Sequence, residues 1–171
     1  MSEMSSALFG DFLPDEVVSH PERTAWMLVP DSRGRVRWSL KLVDGVHVLV
    51  LASLTTPPAY LAWLRSERIP YLARGSDRVD LAVALTAARE VLGVETVLCT
   101  SPGKLGGLLL RLGLVDEVDV EVLPAIVGGS ETPSLFRSFT SRGLNAARLE
   151  LLSAEALEGG RVWLRYAVRH E

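Results

Sequence analysis

Few residues in this chain have the type and spacing that chemistry needs, and each has a plainer role beside it. Asp116 and Glu117 form a carboxylate pair of the kind used in acid–base catalysis. Adjacent residues on a turn or strand point apart, however, so structural roles are expected: Asp116 capping local backbone after Gly113, Glu117 pairing with an arginine. Cys99 ends a predicted buried strand with no histidine nearby in sequence, the setting of an inert thiol and not of a nucleophile. As the single cysteine it leaves no intrachain disulfide, CxxC pair or cysteine-rich zinc site, and His20, His47 and His170 are too widely spaced for a local metal motif, so no metal is expected. Gly128-Gly129-Ser130 is a weak phosphate-loop signal because no helix follows it. The segment Ser101-Pro102-Gly103-Lys104-Leu105-Gly106 carries more, because it opens a predicted helix. The first amides and the dipole of a helix favour an anion, and Lys104, one of only two lysines, adds positive charge there. The plainer reading has Ser101 as N-cap and Pro102 at the first helical position, a start that needs no ligand.

The elements that must position these residues follow from hydropathy patterning. Residues 1–23 carry little periodic signal and read as a frayed end with an irregular segment around Phe9, Phe12 and Pro14. Strands are predicted over Thr24–Val29, Arg35–Leu42 and Val46–Ala52, separated by a turn cluster at 30–34 and a tight reversal at Asp44-Gly45. Thr56 is placed to cap a helix whose first turn holds Pro57 and Pro58, with Tyr60, Trp63 and Leu64 on a shared face. A short strand, Ile69–Ala73, precedes a helix over Leu81–Leu92 capped by Asp80 and stopped by Gly93, its apolar face carrying Leu81, Ala84, Leu85, Ala88 and Leu92. Val94–Cys99 reads as a buried strand and Ser101–Leu112 as the next helix. Such alternation calls for parallel strands joined by right-handed crossovers. Val118–Val122 then alternates with charges, Ala125–Val127 continues it beyond Pro124, and a loop at 129–133 follows. Arg148–Ser153 and Arg161–Arg169 read as a closing antiparallel pair, so the sheet is mixed.

One stretch resembles a known family. Val97-Leu98-Cys99-Thr100-Ser101-Pro102-Gly103-Lys104-Leu105, then Leu108–Leu110, Gly113-Leu114-Val115-Asp116-Glu117, a strand, Pro124 and Gly128-Gly129 stand in the order found in the C-terminal reductase domain of bacterial bifunctional riboflavin deaminase-reductases. Asp31-Ser32-Arg33-Gly34-Arg35, Ser53 with Thr56-Pro57, Arg78-Val79-Asp80-Leu81 and Val162-Trp163-Leu164-Arg165-Tyr166 match further family segments, over about residues 24 to 170. The resemblance implies a dihydrofolate-reductase-like α/β fold: a mixed, mainly parallel sheet flanked by helices, with a C-terminal antiparallel pair, in one domain over residues 24–171. It implies an NADP(H)-dependent reductase of 5-amino-6-(5-phosphoribosylamino)uracil type, taking a phosphorylated aminouracil ribose as substrate. The implied cofactor contacts are Ser53, Thr55 and Thr56 near the adenosine half, and Ser101, Gly103, Lys104, Leu105 and Gly106 at the pyrophosphate, where amides must stay open. The implied substrate contact is Thr100, standing where the family has a glutamate; no catalytic residue is singled out. The chain departs from the family's Glu-Gly-Gly-Gly-x-Leu-Asn turn and is shortened on its N-terminal side. The alternative is therefore a degenerate, non-catalytic relative acting as a binding or interaction module.

Composition bounds the rest. The chain has 171 residues, 48% hydrophobic, with mean hydropathy +0.23, enough for a real core in one compact domain. Its longest apolar runs are too short for a bilayer and its start lacks a basic-then-apolar leader, so a soluble, cytoplasmic protein is expected. Net charge is −3 and the arginines are scattered, which argues against nucleic acid as a partner. Asn occurs only at Asn145 and Gln nowhere, a weak sign of heat adaptation. The four tryptophans, Trp26, Trp38, Trp63 and Trp163, are expected in packing. A shortened sheet would expose an edge or an apolar face, and a homodimer is the expected assembly.

Overall fold

The computed structural model describes residues 10–15, 25–39, 42–43, 45–101, 103–129, 134–137 and 147–170. His20, Pro102 and the loop at 130–133 lie outside them, as does most of the N-terminal segment. The chain forms two compact units, Met1–Thr96 and Val97–Glu171.

In the first unit, β1 (Ala25–Pro30), β2 (Leu42–Val43), β3 (Val46–Ala52) and β4 (Tyr71–Ala73) form one sheet, with α1 (Pro58–Ser66) and α2 (Leu81–Leu92). β3 is central. β1 runs parallel along its whole length, while the other edge is shared by β2, antiparallel at Val46 and His47, and β4, parallel from Val50 to Ala52. A strand covered on both faces must be apolar without interruption, and from His47 to Ala52 every residue of β3 is buried. Val48, Val50 and Ala52 pack with Tyr60, Leu61 and Leu64 of α1 and with Ile69, Tyr71 and Ala73. Trp38, Trp63 and Phe12 close the rim. Complete burial of a leucine such as Leu61 or Leu64 is worth roughly 1.5–3 kcal/mol. α2 packs against β4 and is bounded as expected: Asp80 Oδ1 accepts from Val83 N at 3.1 Å, and Gly93 is left-handed at φ 67°. Its buried face holds Ala87 beside Leu81, Ala84, Ala88 and Leu92, with Leu85 at the margin. Phe12 bridges to Tyr71 through two 2.9 Å hydrogen bonds, and Asp11 pairs with Arg74 at 2.6 Å.

The second unit holds α3 (Lys104–Arg111) and a three-stranded antiparallel sheet, β5 (Glu117–Val122), β7 (Arg161–Arg169) and β6 (Arg148–Leu157), in that order. β6 and β7 are joined through a single 3-10 turn, Glu158–Gly160. Register places Asp119 opposite Arg165, and Val118 and Leu151 opposite Tyr166, so the sheet has a charged and an apolar face. On the charged face Arg165 binds Glu117 at 2.8 Å and Asp119 at 3.0 Å, and Arg161 binds Glu121 at 2.7 Å. A β-bulge interrupts β6 between Leu151 and Ser153.

Several expectations are corrected. Most of Arg35–Leu42 is not a strand; only Leu42 and Val43 enter the ladder. The cause is Asp31, whose Oδ2 accepts from Arg35 N at 2.8 Å and Val36 N at 3.0 Å, taking amides that a strand would give to its neighbour. Val94–Cys99 joins no ladder among the described residues and is exposed from Glu95 on, Leu98 at 81%; an apolar run makes a strand only where an edge pairs with it. Cys99 is consequently exposed and not buried. Thr56 does not cap α1: Pro57 holds the cap position without a side-chain bond. Neither does Ser101 cap α3, which begins after Gly103 at φ 75° and ψ −115° with no side-chain cap. Beyond Val122 the chain leaves the ladder, and Ile126 is fully exposed.

Candidate functional site

Parallel strands deliver their carboxyl ends to one side of a sheet, where α/β proteins place their ligands. In the first unit that crest is built from the turn after β1 (residues 31–36), the loop after β3 (53–57) and the loop after β4 (74–80). The three are stitched together. Leu54 N and Thr55 N donate to Gly75 O and Ser76 O at 2.9 and 3.2 Å, and Val79 N donates to Ser32 Oγ at 2.9 Å. Thr56, fully buried, accepts from Ser53 N at 2.9 Å and donates to Ser32 O at 3.1 Å. Ser53 Oγ lies 3.3 Å from both Thr55 Oγ1 and Thr56 Oγ1, and Thr55 Oγ1 reaches Ser76 O and Asp77 O at 3.2 Å. The hydroxyls of Ser53, Thr55 and Thr56 come together and face one another and the neighbouring backbone. They hold the loops in place.

Behind the crest, Trp38 Nε1 donates to the Tyr60 hydroxyl at 3.3 Å, and Tyr60 donates to Asp31. Burial, joined by the Asp31 charge, pushes the Tyr60 hydroxyl up to about 12. Burial alone would also raise Asp31, but the bonds from Val36, Arg35, Tyr60 and Arg33 together outweigh it and hold the carboxyl below 3.8. Gly34 stands at φ 62°, and a Cβ there would meet Tyr60 Cγ at 2.6 Å, so the turn requires glycine both for conformation and for space. The exposed residues of the crest include Arg33, Arg35, Arg78 and half-exposed Leu54, with Asp77 and Asp80 beside Arg78. Arg33 and Arg78 were passed over in the sequence as scattered surface charge. The one signal for them is that each lies in a motif following a strand.

In the second unit, the turn before α3 meets the segment 134–137. Gly103 N donates to Leu135 O at 2.8 Å, and Gly103 O accepts from Arg137 N at 3.0 Å. Gly106 is buried beneath Phe136, whose Cδ1 would be 3.5 Å from a Cβ there, and a Cβ on Gly107 would run into the Arg137 carbonyl. These glycines admit another stretch of the chain's own backbone. Of the amides expected to stay open, that of Gly103 is engaged, while those of Leu105 and Gly106 meet no protein acceptor among the described residues. The Lys104, Thr100 and Ser101 side chains are exposed.

The remaining candidates are structural. Glu117 pairs with Arg165 as expected. Asp116 lies 3.7 Å from His170 Nε2 and accepts from Val168 N through its carbonyl, without a side-chain cap among the described residues. Cys99 Sγ reaches only Ser101 O, at 3.7 Å. Among the described residues no group of His, Cys, Asp and Glu is placed to hold a metal, and no helix is long and apolar enough to cross a membrane.

Comparison with known proteins agrees with this architecture. A 2,5-diamino-6-ribosylamino-4(3H)-pyrimidinone 5′-phosphate reductase from Methanothermobacter thermautotrophicus is 32% identical over 109 residues, which is 63% of this chain and 50% of that protein. The chain therefore spans about half the length of that relative. A pyrimidine reductase-like protein from Corynebacterium diphtheriae shares the fold at TM-score 0.67 and 18% identity, over 97% of this chain and 72% of its own. RibD from Acinetobacter baumannii does so at TM-score 0.58 and 22% identity, over 92% and 40%. The RibD C-terminal domain model matches residues 12–162, and the chain belongs to that family.

Proposed function

We propose that the chain is an NADP(H)-dependent reductase of riboflavin biosynthesis, acting on a phosphorylated aminopyrimidine ribose of the 5-amino-6-(5-phosphoribosylamino)uracil type. The observation that carries this reading is the family match across residues 12–162, together with the 32% identical relative that bears a reductase name. Bound NADPH would supply the hydride that converts the ring sugar to an open ribityl chain; the protein's part is binding, orientation and electrostatics. Within the second unit, the amides of Leu105 and Gly106 and the charge of Lys104 suit the diphosphate of such a cofactor. Ser53, Thr55 and Thr56 act as loop holders, and Thr100 offers a hydroxyl to the substrate. A homodimer in the cytoplasm belongs to the same reading.

Purified protein should oxidise NADPH only when the aminouracil ribosyl phosphate is present, followed as loss of nicotinamide absorbance. No turnover, and no thermal shift at millimolar NADPH, would remove the reading.

A second reading, a non-catalytic relative serving as a binding module, has one observation in its favour. The Gly103 amide is spent on Leu135, and segment 134–137 covers the glycines that follow. NADPH binding without turnover would select it.

A further inference from the structure

β4 pairs with β3 along one side, and the backbone groups of Tyr71 and Ala73 point to the other. A strand edge of this kind ordinarily presents bare donors and acceptors, a template for another strand. Here all four groups are taken. Tyr71 N donates to Phe12 O and Tyr71 O accepts from Phe12 N, both at 2.9 Å. Ala73 N donates to Asp11 Oδ1 at 3.1 Å, and Ala73 O accepts from the Arg74 guanidinium at 2.9 Å. That guanidinium is itself held by the Asp11 carboxylate through two bonds, of 2.6 and 2.8 Å. Arg65 lies over the Phe12 ring, 5.0 Å from its centroid, and Pro14 is buried. Backbone, charge and ring thus fasten one short segment to β4. Arg74 also opens the loop that runs to residue 80: its amide donates to Ala52 O at 2.9 Å and its carbonyl accepts from Asp80 N at 3.0 Å. The loop is folded tightly on itself, since a Cβ on Gly75 would run into the Arg78 carbonyl and the Asp80 amide. Its Gly75 and Ser76 carbonyls take the amides of Leu54 and Thr55. Arg74 therefore touches segment 11–14, the end of β3 and the start of the loop.

We propose that residues 11–14 are a strap that fastens and releases as a unit, and that its grip on Arg74 sets how firmly the loops at 53–57 and 74–80 are held together. The attachments suit a detachable element: two backbone bonds, one forked ion pair and one ring contact, with the Arg74 and Asp11 side chains 27% and 30% exposed. Local opening of such a segment costs less than unfolding the sheet beneath it. Release bares the outer groups of β4 and frees the guanidinium that steadies the start of the loop, so edge and loops loosen together. A segment ahead of β1 in sequence thereby governs loops at the carboxyl ends of β3 and β4. The inference does not depend on the reductase reading, and its test uses no nucleotide and no turnover.

The test is residue-resolved hydrogen exchange on the whole chain, wild type against Asp11→Ala. Exchange should quicken by about tenfold or more at Tyr71 and Ala73, the factor that one charge-assisted bond supplies. It should quicken by a similar factor at Leu54, Thr55 and Asp80, whose amides bond to the loop and not to the strap. The β1–β3 and β6–β7 ladders should keep their wild-type rates. Asp11→Asn, which retains an acceptor for Ala73 N but gives up the charge, should show the same pattern at smaller size, and the same criteria are read on it if Asp11→Ala does not fold. Three results overturn the inference. A change confined to Tyr71 and Ala73 makes segment 11–14 a cover for the edge with no hold on the loops. Equal acceleration throughout the first unit makes it an inseparable part of the fold. Unchanged rates at every amide show that Asp11 fastens nothing.

Discussion

A single carboxylate decides the course of the backbone from Asp31 to Trp38. By taking the amides of Arg35 and Val36 it keeps them out of the sheet, and by accepting from Tyr60 it ties the turn to α1. Removing it leaves buried donors unanswered, so Asp31→Ala is expected to cost about 2–3 kcal/mol in urea unfolding. The acid limb follows from its lowered pKa. A carboxyl held below its unfolded value stabilises the fold above that value, 3.8 here, and the contribution is lost as pH falls through the folded pKa. Asp31→Asn should therefore flatten stability against pH below about 4; an unchanged acid limb would show that Asp31 is not its source. Residue roles were only partly legible in the sequence. Ser53, Thr55 and Thr56 are pointed to by the family resemblance, yet their orientation inward depends on Ser32, Ser76 and Asp77, which the chain brings back from elsewhere. Ser32 and Val79 are likewise far apart in sequence, and only folding joins them.

Elements whose signals are local were readable to the residue. Val46–Ala52 is a continuous apolar run, and Leu81–Leu92 carries its own start and stop in Asp80 and Gly93. Asp80→Ala should lower stability by about 1 kcal/mol, the worth of such a cap, without changing nucleotide binding. Elements that depend on a distant partner were not readable. The strand expected over Val94–Cys99 finds no ladder among the described residues, and the start of α3 is fixed by a segment thirty-odd positions later. The glycines of α3 allow a direct test. Alanine in place of Gly107 gains about 1 kcal/mol in helix propensity, but its Cβ meets the Arg137 carbonyl, which is backbone and cannot swing aside. Net destabilisation is expected, with faster hydrogen exchange at the Gly103 and Arg137 amides. A stabilised variant with unchanged exchange would show that close approach is not what this glycine serves.

At the scale of the molecule, the family match and the two-sided sheet of the second unit bear on assembly. β6 is a long edge strand, and Leu149, Leu151 and Leu152 on it are exposed. An edge of that kind favours pairing with a second copy, and light scattering is expected to give twice the chain mass; a monomer at high concentration would contradict the dimer. The irregularity within β6 has a consequence of its own. Leu149 and Leu151 lie opposite Val168 and Tyr166, whereas Ala154 and Ala156 lie opposite Leu164 and Val162, so the inserted residue switches odd positions for even ones on the greasy side. Leu152 is the surplus residue: deleting it would leave Leu149, Leu151, Ala154 and Ala156 in plain alternation with each pairing kept. The hairpin arm can therefore shorten by a lone residue only at this irregularity: a single loss elsewhere in β6 would turn part of the strand over, whereas a loss here would only straighten it.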